Sequence, residues 1–165
     1  CRKPVVAAVQ GPAIGGGLGL ALVADFRVTC PEAKFSANFN RLGFHPGFGL
    51  SVTLPRLVGL QKAAMLFYTG RRIGGEEAHA MGLADILVAQ DQVRAEAAKL
   101  AREIAISAPL AVQATRDSLR QGLVEQIRVA VARESTEQNA QFKTADFREG
   151  VAAMAARREP QFKGE

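Results

Sequence analysis

The chain has 165 residues, 48% apolar and 22% charged, enough for one domain with a real core, too few for two ordinary ones, and too apolar for a disordered chain. Two cysteines, Cys1 and Cys30, cannot form a disulfide framework or a four-ligand zinc site, and His45 and His79 are too few for a multi-His centre; no metal and a reducing, cytoplasmic setting are therefore expected. The net charge of +5 is uneven, with six basic against two acidic side chains in residues 1–60 and fifteen against fourteen in residues 61–165, which favours an anionic ligand near the glycine-rich end.

The chain opens on Cys1 and enters a strand-like run almost at once, as the later part of a longer fold would. Val5 to Val9 is short, apolar and β-branched, the pattern of a strand buried on both faces, and Gly11-Pro12 closes it. Pro4 to Ala24 is uncharged for 21 residues, the length of a membrane span. Its internal proline and glycines and the missing aromatic belt argue against a span, and the glycine cluster breaks any signal-peptide core. Gly15 to Ala24 instead reads as a helix apolar almost all round, hence buried. Phe26–Thr29 and Lys34–Ala37 are further strands. A strand, buried helix, strand order predicts a layered α/β domain with parallel pairing.

Asn38 to Gly49 has no periodicity and reads as a loop. Helices dominate after it: Gly49–Val58, interrupted by Pro55; Gln61–Tyr68, ended by glycine; Gly74 to Met81, stopped by Gly82. A brief strand at Ile86–Val88 precedes helices at Gln92–Ile106 and Pro109–Leu119. A long amphipathic helix with Leu123, Ile127 and Val131 on its apolar stripe follows, and Asp146–Arg158 is the last. The helical stripes are explained by packing on the core or by subunit contact. No repeat is present, and no basic run interleaved with aromatics indicates nucleic acid.

Gly15-Gly16-Gly17-Leu18-Gly19 lies between a strand and a helix, where free backbone N–H groups can meet an anion. A P-loop needs Lys-Ser/Thr after its last glycine, and Gly17-Leu18 stands there. A dinucleotide fingerprint needs glycine where Leu20 stands, and a nucleophile elbow needs a serine inside the cluster. Two readings remain: an N–H donor aimed at an oxygen, as in an oxyanion hole, or a tight strand–helix crossing that needs small residues.

Lys3-Pro4-Val5-Val6-Ala7-Ala8-Val9-Gln10-Gly11-Pro12-Ala13-Ile14-Gly15-Gly16-Gly17 resembles the signature of the crotonase (enoyl-CoA hydratase/isomerase) superfamily. The resemblance continues through Ala24-Asp25-Phe26-Arg27, Leu42-Gly43 with Pro46-Gly47, Leu54-Pro55-Arg56-Leu57-Val58-Gly59, Thr69-Gly70-Arg71-Arg72-Ile73, Ala80-Met81-Gly82-Leu83-Ala84-Asp85 and Arg148-Glu149-Gly150. It implies a ββα spiral, truncated here. Residues 1–58 would form the later part of the spiral core with the glycine loop, and residues 59–165 a helical region used for trimerisation.

The resemblance also implies an acyl-CoA thioester as substrate, no separate cofactor, and a homotrimer or homohexamer. Gly16 would donate its N–H to the thioester oxygen, with Gly15, Gly17, Pro46 and Gly47 around the substrate; the family's second donor lies upstream of this chain. The hydratase glutamates fall two residues past the last glycine of the triplet and seven before the Pro-Gly. Gly19 and Phe39 occupy those places, so ordinary hydration, which needs a base for water and an acid for the α-carbon, loses both groups. His45, beside Pro46-Gly47, is the candidate proton-exchanging side chain. Met154 and Arg157 fall where the family sets residues against the adenine and phosphates of CoA. Two readings follow: an acyl-CoA enzyme with altered acid–base groups, or a non-catalytic acyl-CoA-binding homologue. Asp25 is expected to brace the backbone, and His79 to be structural.

Overall fold

The computed structural model describes residues 1–165. Six short strands, β1 (Val6–Val9), β2 (Pro12–Ile14), β3 (Phe26–Thr29), β4 (Lys34–Ser36), β5 (Ile73–Gly74) and β6 (Ile86–Leu87), form two three-stranded sheets of order β1-β3-β6 and β2-β4-β5. Each of the first two strand pairs of the chain turns from one sheet into the other, β1 into β2 and β3 into β4. The β1–β3, β2–β4 and β3–β6 pairs are parallel and in register, Ala8 facing Val28 and Ala13 facing Phe35, as the strand–helix–strand order predicts; β5 runs antiparallel to β4.

Strand β1 is an edge strand and only partly buried, so the expected burial on both faces is not found in this chain. Helix α1 spans Gly16–Ala21, four residues shorter than predicted. It is buried on one side through Leu18 and Leu22, whereas Leu20 and Val23 are 70% and 61% exposed. The short α1 ends in a turn that delivers Asp25, whose Oδ2 accepts from Val5 N at 2.8 Å and whose N–H returns to the Val5 carbonyl. Asp25 thus braces the backbone, and Arg116 and Arg120 close on it from the helical tail.

Helices α2 (Leu50–Val58), α3 (Leu60–Thr69), α4 (Gly75–Ala80), α5 (Val93–Ala105), α6 (Pro109–Leu119), α7 (Leu123–Gln141) and α8 (Ala145–Ala155) follow. Pro55 sits inside α2 without breaking it, because Ser51, whose carbonyl forgoes its helical donor, lies on the exposed side where water reaches it. The expected loop after Asn38 contains a 3-10 turn at Asn38–Leu42. One hydrophobic cluster, including Val28, Phe35, Leu50, Leu54, Leu66 and Val93, runs from Ala13 to Ala97. It therefore crosses position 58, and α5 packs across β1 and β3.

The basic surplus of residues 1–60 is largely engaged in holding the fold. Arg27, 1% exposed, donates to the carbonyls of Leu83 and Ala24 and pairs with Asp85 at 3.0 Å. Burial lowers the Arg27 pKa against the opposing pull of Asp85 and Asp25. Arg41 and Arg56 donate to the carbonyls of Thr69 and Leu119.

Candidate active site

The glycine turn begins at Gly15, whose φ of 55° and ψ of −117° are open to glycine and costly for other residues. Its N–H donates to Ser36 O at 2.8 Å and its carbonyl accepts from Gly19 N at 3.1 Å, which fixes the turn to the end of β4. Gly16, the first residue of α1, stands where a helix leaves its N–H without an intrahelical partner, and no backbone carbonyl or side chain accepts from it. The crossing is tight as well: Asn38 and Phe39 lie against Gly15, and Phe48 lies against Gly16 and Gly19. The turn thus combines an amide that has no protein acceptor with a crossing that needs small residues.

Phe39 is 6% exposed and meets Phe44 edge-on at 5.6 Å between ring centroids. Phe44 in turn packs on Phe142 and Phe147. This aromatic cluster anchors the 3-10 turn to α7 and α8 and leaves no titratable atom at position 39. At Gly19 the space a side chain would need holds Phe48: a methyl built there would lie 2.5 Å from Phe48 Cβ and 2.9 Å from Cγ.

Helix α7 holds the loop carrying His45, Pro46 and Gly47 with three side chains spaced along one face. Glu134, 2% exposed, accepts from Gly49 N at 2.7 Å, Ser51 N at 3.0 Å and Ser51 Oγ at 2.6 Å, capping α2 from 85 residues away. Gln138 donates to His45 O at 2.8 Å and Gln141 accepts from His45 N at 2.6 Å. These groups went unnoticed in the sequence; the visible signal was a polar i, i+4, i+7 stripe on a helix whose other face is apolar. His45 Nδ1 lies 2.7 Å from Pro46 O; a carbonyl can only accept, so Nδ1 carries the proton and Nε2 of the neutral ring is an acceptor.

Two cavities flank this loop. One, of about 820 Å³, is lined by Gly19, Phe48, Leu22 and Val23 together with apolar side chains of α2, α5, α6 and α7, with the charged Asp25, Arg56, Glu103, Arg116 and Arg120 also on its wall. The other, of about 540 Å³, is lined by His45 and Pro46 with Tyr68, Gln141 and Glu165. The structure therefore gathers Gly15, Gly16, Gly17, Gly19, Phe39 and Phe48 around one turn and sets His45 on the wall of a different cavity. Met154 and Arg157 line neither. Met154 is half-exposed, and Arg157 ends α8 at a φ of 53° outside every ion pair, while its neighbour Arg158 is bound to Glu149. His79 turns Nδ1 to Ala84 O at 3.2 Å within its own turn, a structural position.

Consecutive strands that switch sheets, a tight glycine turn and a helical tail are the features of the ββα-spiral class of fold. All of residues 1–165 match the family described as enoyl-CoA hydratase/isomerase, and the chain belongs to that family, the crotonase superfamily. It is 38% identical to the crotonyl-CoA hydratase of Syntrophomonas wolfei over 161 residues, covering 98% of this chain and 62% of that protein. It is 38% identical to human enoyl-CoA hydratase domain-containing protein 2, mitochondrial, covering 98% of this chain and 56% of that one. The crystal structure of carnitinyl-CoA hydratase from Mycobacterium avium superposes with a TM-score of 0.93 at 30% identity, over 99% of this chain and 64% of that one. The chain thus spans roughly three fifths of the length of these relatives. No helix is long and apolar enough to cross a membrane.

Proposed function

We propose that the complete polypeptide binds an acyl-CoA thioester and stabilises its enolate, with the Gly16 N–H as one donor to the thioester oxygen. The observation that carries this reading is the unpaired Gly16 amide at the start of α1. When the α-carbon loses its proton, charge gathers on the carbonyl oxygen, and a fixed donor stabilises that state more than the neutral ester. A single such donor is worth about 10²–10³ in rate. With Gly19 and Phe39 at the glutamate positions, hydration is not the favoured chemistry. Proton movement is assigned to His45, whose Nε2 is free to accept, and this role requires the Pro46-Gly47 loop to approach the substrate. Met154 and Arg157 are assigned to the CoA moiety. Assembly as a trimer or hexamer is assigned to the helical tail, where Leu110, Leu119 and Val124 are exposed.

The test is α-proton exchange in D₂O of a saturated acyl-CoA bound to the complete protein, together with turnover of crotonyl-CoA and a 3-enoyl-CoA. The reading predicts exchange that His45→Ala slows. Because neither Gly19 nor Phe39 offers a titratable atom, the second reading is a non-catalytic acyl-CoA-binding homologue. Tight binding without exchange, unaltered by His45→Ala, would establish that reading instead.

A further inference from the structure

Phe48 combines three features that packing does not explain. Its φ is 63°, a conformation costly for a bulky residue. It is nevertheless 65% exposed, so core burial does not hold it there. And its ring lies along α1, with Cβ and Cγ over Gly19 and Cε2 and Cζ over Gly16. A methyl on Gly16 would meet Cε2 at 2.8 Å, so the ring fits only because both positions are glycine. The conformation is fixed from the next residue: Gly49, itself at a φ of 70°, donates its N–H to the buried Glu134.

The same ring lines the cavity of about 820 Å³, whose walls include Leu22, Leu57, Leu100, Ile104, Leu123 and Ile127. Gly19 and Phe48 belong to that wall and Gly16 does not. The ring therefore stands where the cavity meets the Gly16 turn. Size and apolar lining suit the hydrocarbon part of a small ligand.

We propose that Phe48 is a specificity-determining residue: an aromatic wall that separates the apolar cavity from the Gly16 amide and limits how long an acyl group can lie there. The proposal rests on the acyl-thioester reading above. Gly19 and Phe48 are a matched pair in it, the absence of a side chain at one making room for the ring of the other.

The test titrates the complete protein, as wild type, Phe48→Ala and Phe48→Gly, with acetyl-, hexanoyl- and decanoyl-CoA by calorimetry. Phe48→Gly removes the ring with a residue at ease at positive φ, so both variants are expected to fold. The affinity ratio of decanoyl- to acetyl-CoA is expected to rise by about tenfold in both, the effect of some two further methylenes leaving water. An unchanged ratio, or an equal loss for all three ligands, overturns the assignment to Phe48 and leaves the acyl-thioester reading standing. No binding of any thioester by the wild type overturns both. In parallel, Gly19→Ala is expected to lower the melting temperature of the wild type and to do so much less in Phe48→Gly, which removes the Cβ that a methyl at position 19 would meet; additive effects would contradict the pairing.

Discussion

Replacing Glu134 by alanine tests how α7 holds the loop. The carboxylate accepts three hydrogen bonds, from Gly49 N, Ser51 N and Ser51 Oγ, at 2.7, 3.0 and 2.6 Å. The Ser51 hydroxyl lies on an exposed residue and can turn to water, whereas the Gly49 N–H is buried and would be stranded. Bonds to a charged acceptor contribute about 1.5–3 kcal/mol each, and an orphaned buried donor costs about 1–3 kcal/mol. The sum expected is about 3–5 kcal/mol, or a fall in melting temperature on the order of 10 °C for a chain of this size. Glu134→Gln keeps one acceptor oxygen and should lose roughly half as much. Circular dichroism melts give the stability, and amide hydrogen exchange at Gly49 and Ser51 gives the local effect. A shift below about 2 °C with unchanged protection at both amides would refute this account of the loop.

Three further outcomes are expected. In Gly75→Ala the methyl would overlap the Cys30 carbonyl, backbone against backbone with nothing flexible to yield; a loss above about 3 kcal/mol is expected in chemical denaturation, and a near-neutral result would contradict the close approach of α4 to β3. Arg27→Met leaves the Leu83 and Ala24 carbonyls without their donor and Asp85 with only the backbone N–H of residue 27, with about 3–5 kcal/mol lost by the same assay and Arg27→Lys falling between. The Arg158 guanidinium, and behind it the Gln161 N–H, hold the Glu149 carboxyl down from 4.5 to about 2. Because the folded value is the lower one, the stabilisation is complete above about pH 4.5 and fades as pH falls toward 2. Melting temperatures across that window should drop less steeply in Glu149→Gln than in the wild type, and parallel acid limbs would exclude the pair.

Periodicity reads well where one element makes its own case. The stripes of α5 and α7 and the glycine stops after α3 and α4 lie within a residue or two of their expected places. Strands β2 and β5, of three and two residues, escaped because they exist only through pairing with β4, and no local pattern marks so short a run. Leu20 and Val23 were expected inside because hydropathy cannot say which side of a short helix meets a neighbour. The glycine turn was legible as a place for a free amide, since its spacing excluded the competing motifs. Phe48 was not: a left-handed phenylalanine is enforced by Glu134, 86 positions away, and sequence proximity offers no hint of that cap. His45 was drawn toward the site by its nearness to Pro46-Gly47, yet its side chain lines the neighbouring cavity.

The account depends most on the amide of Gly16. The direct measurement is the isotope-edited infrared frequency of a ¹³C-labelled thioester carbonyl bound to the complete protein. A hydrogen bond from that amide polarises the carbonyl, so a band at lower frequency than in free solution is predicted, and it should move back when Gly16→Pro removes the N–H in a Phe48→Gly background that leaves room for the ring. A bound carbonyl that absorbs at its solution frequency, or that is indifferent to the loss of this one hydrogen, would contradict the account.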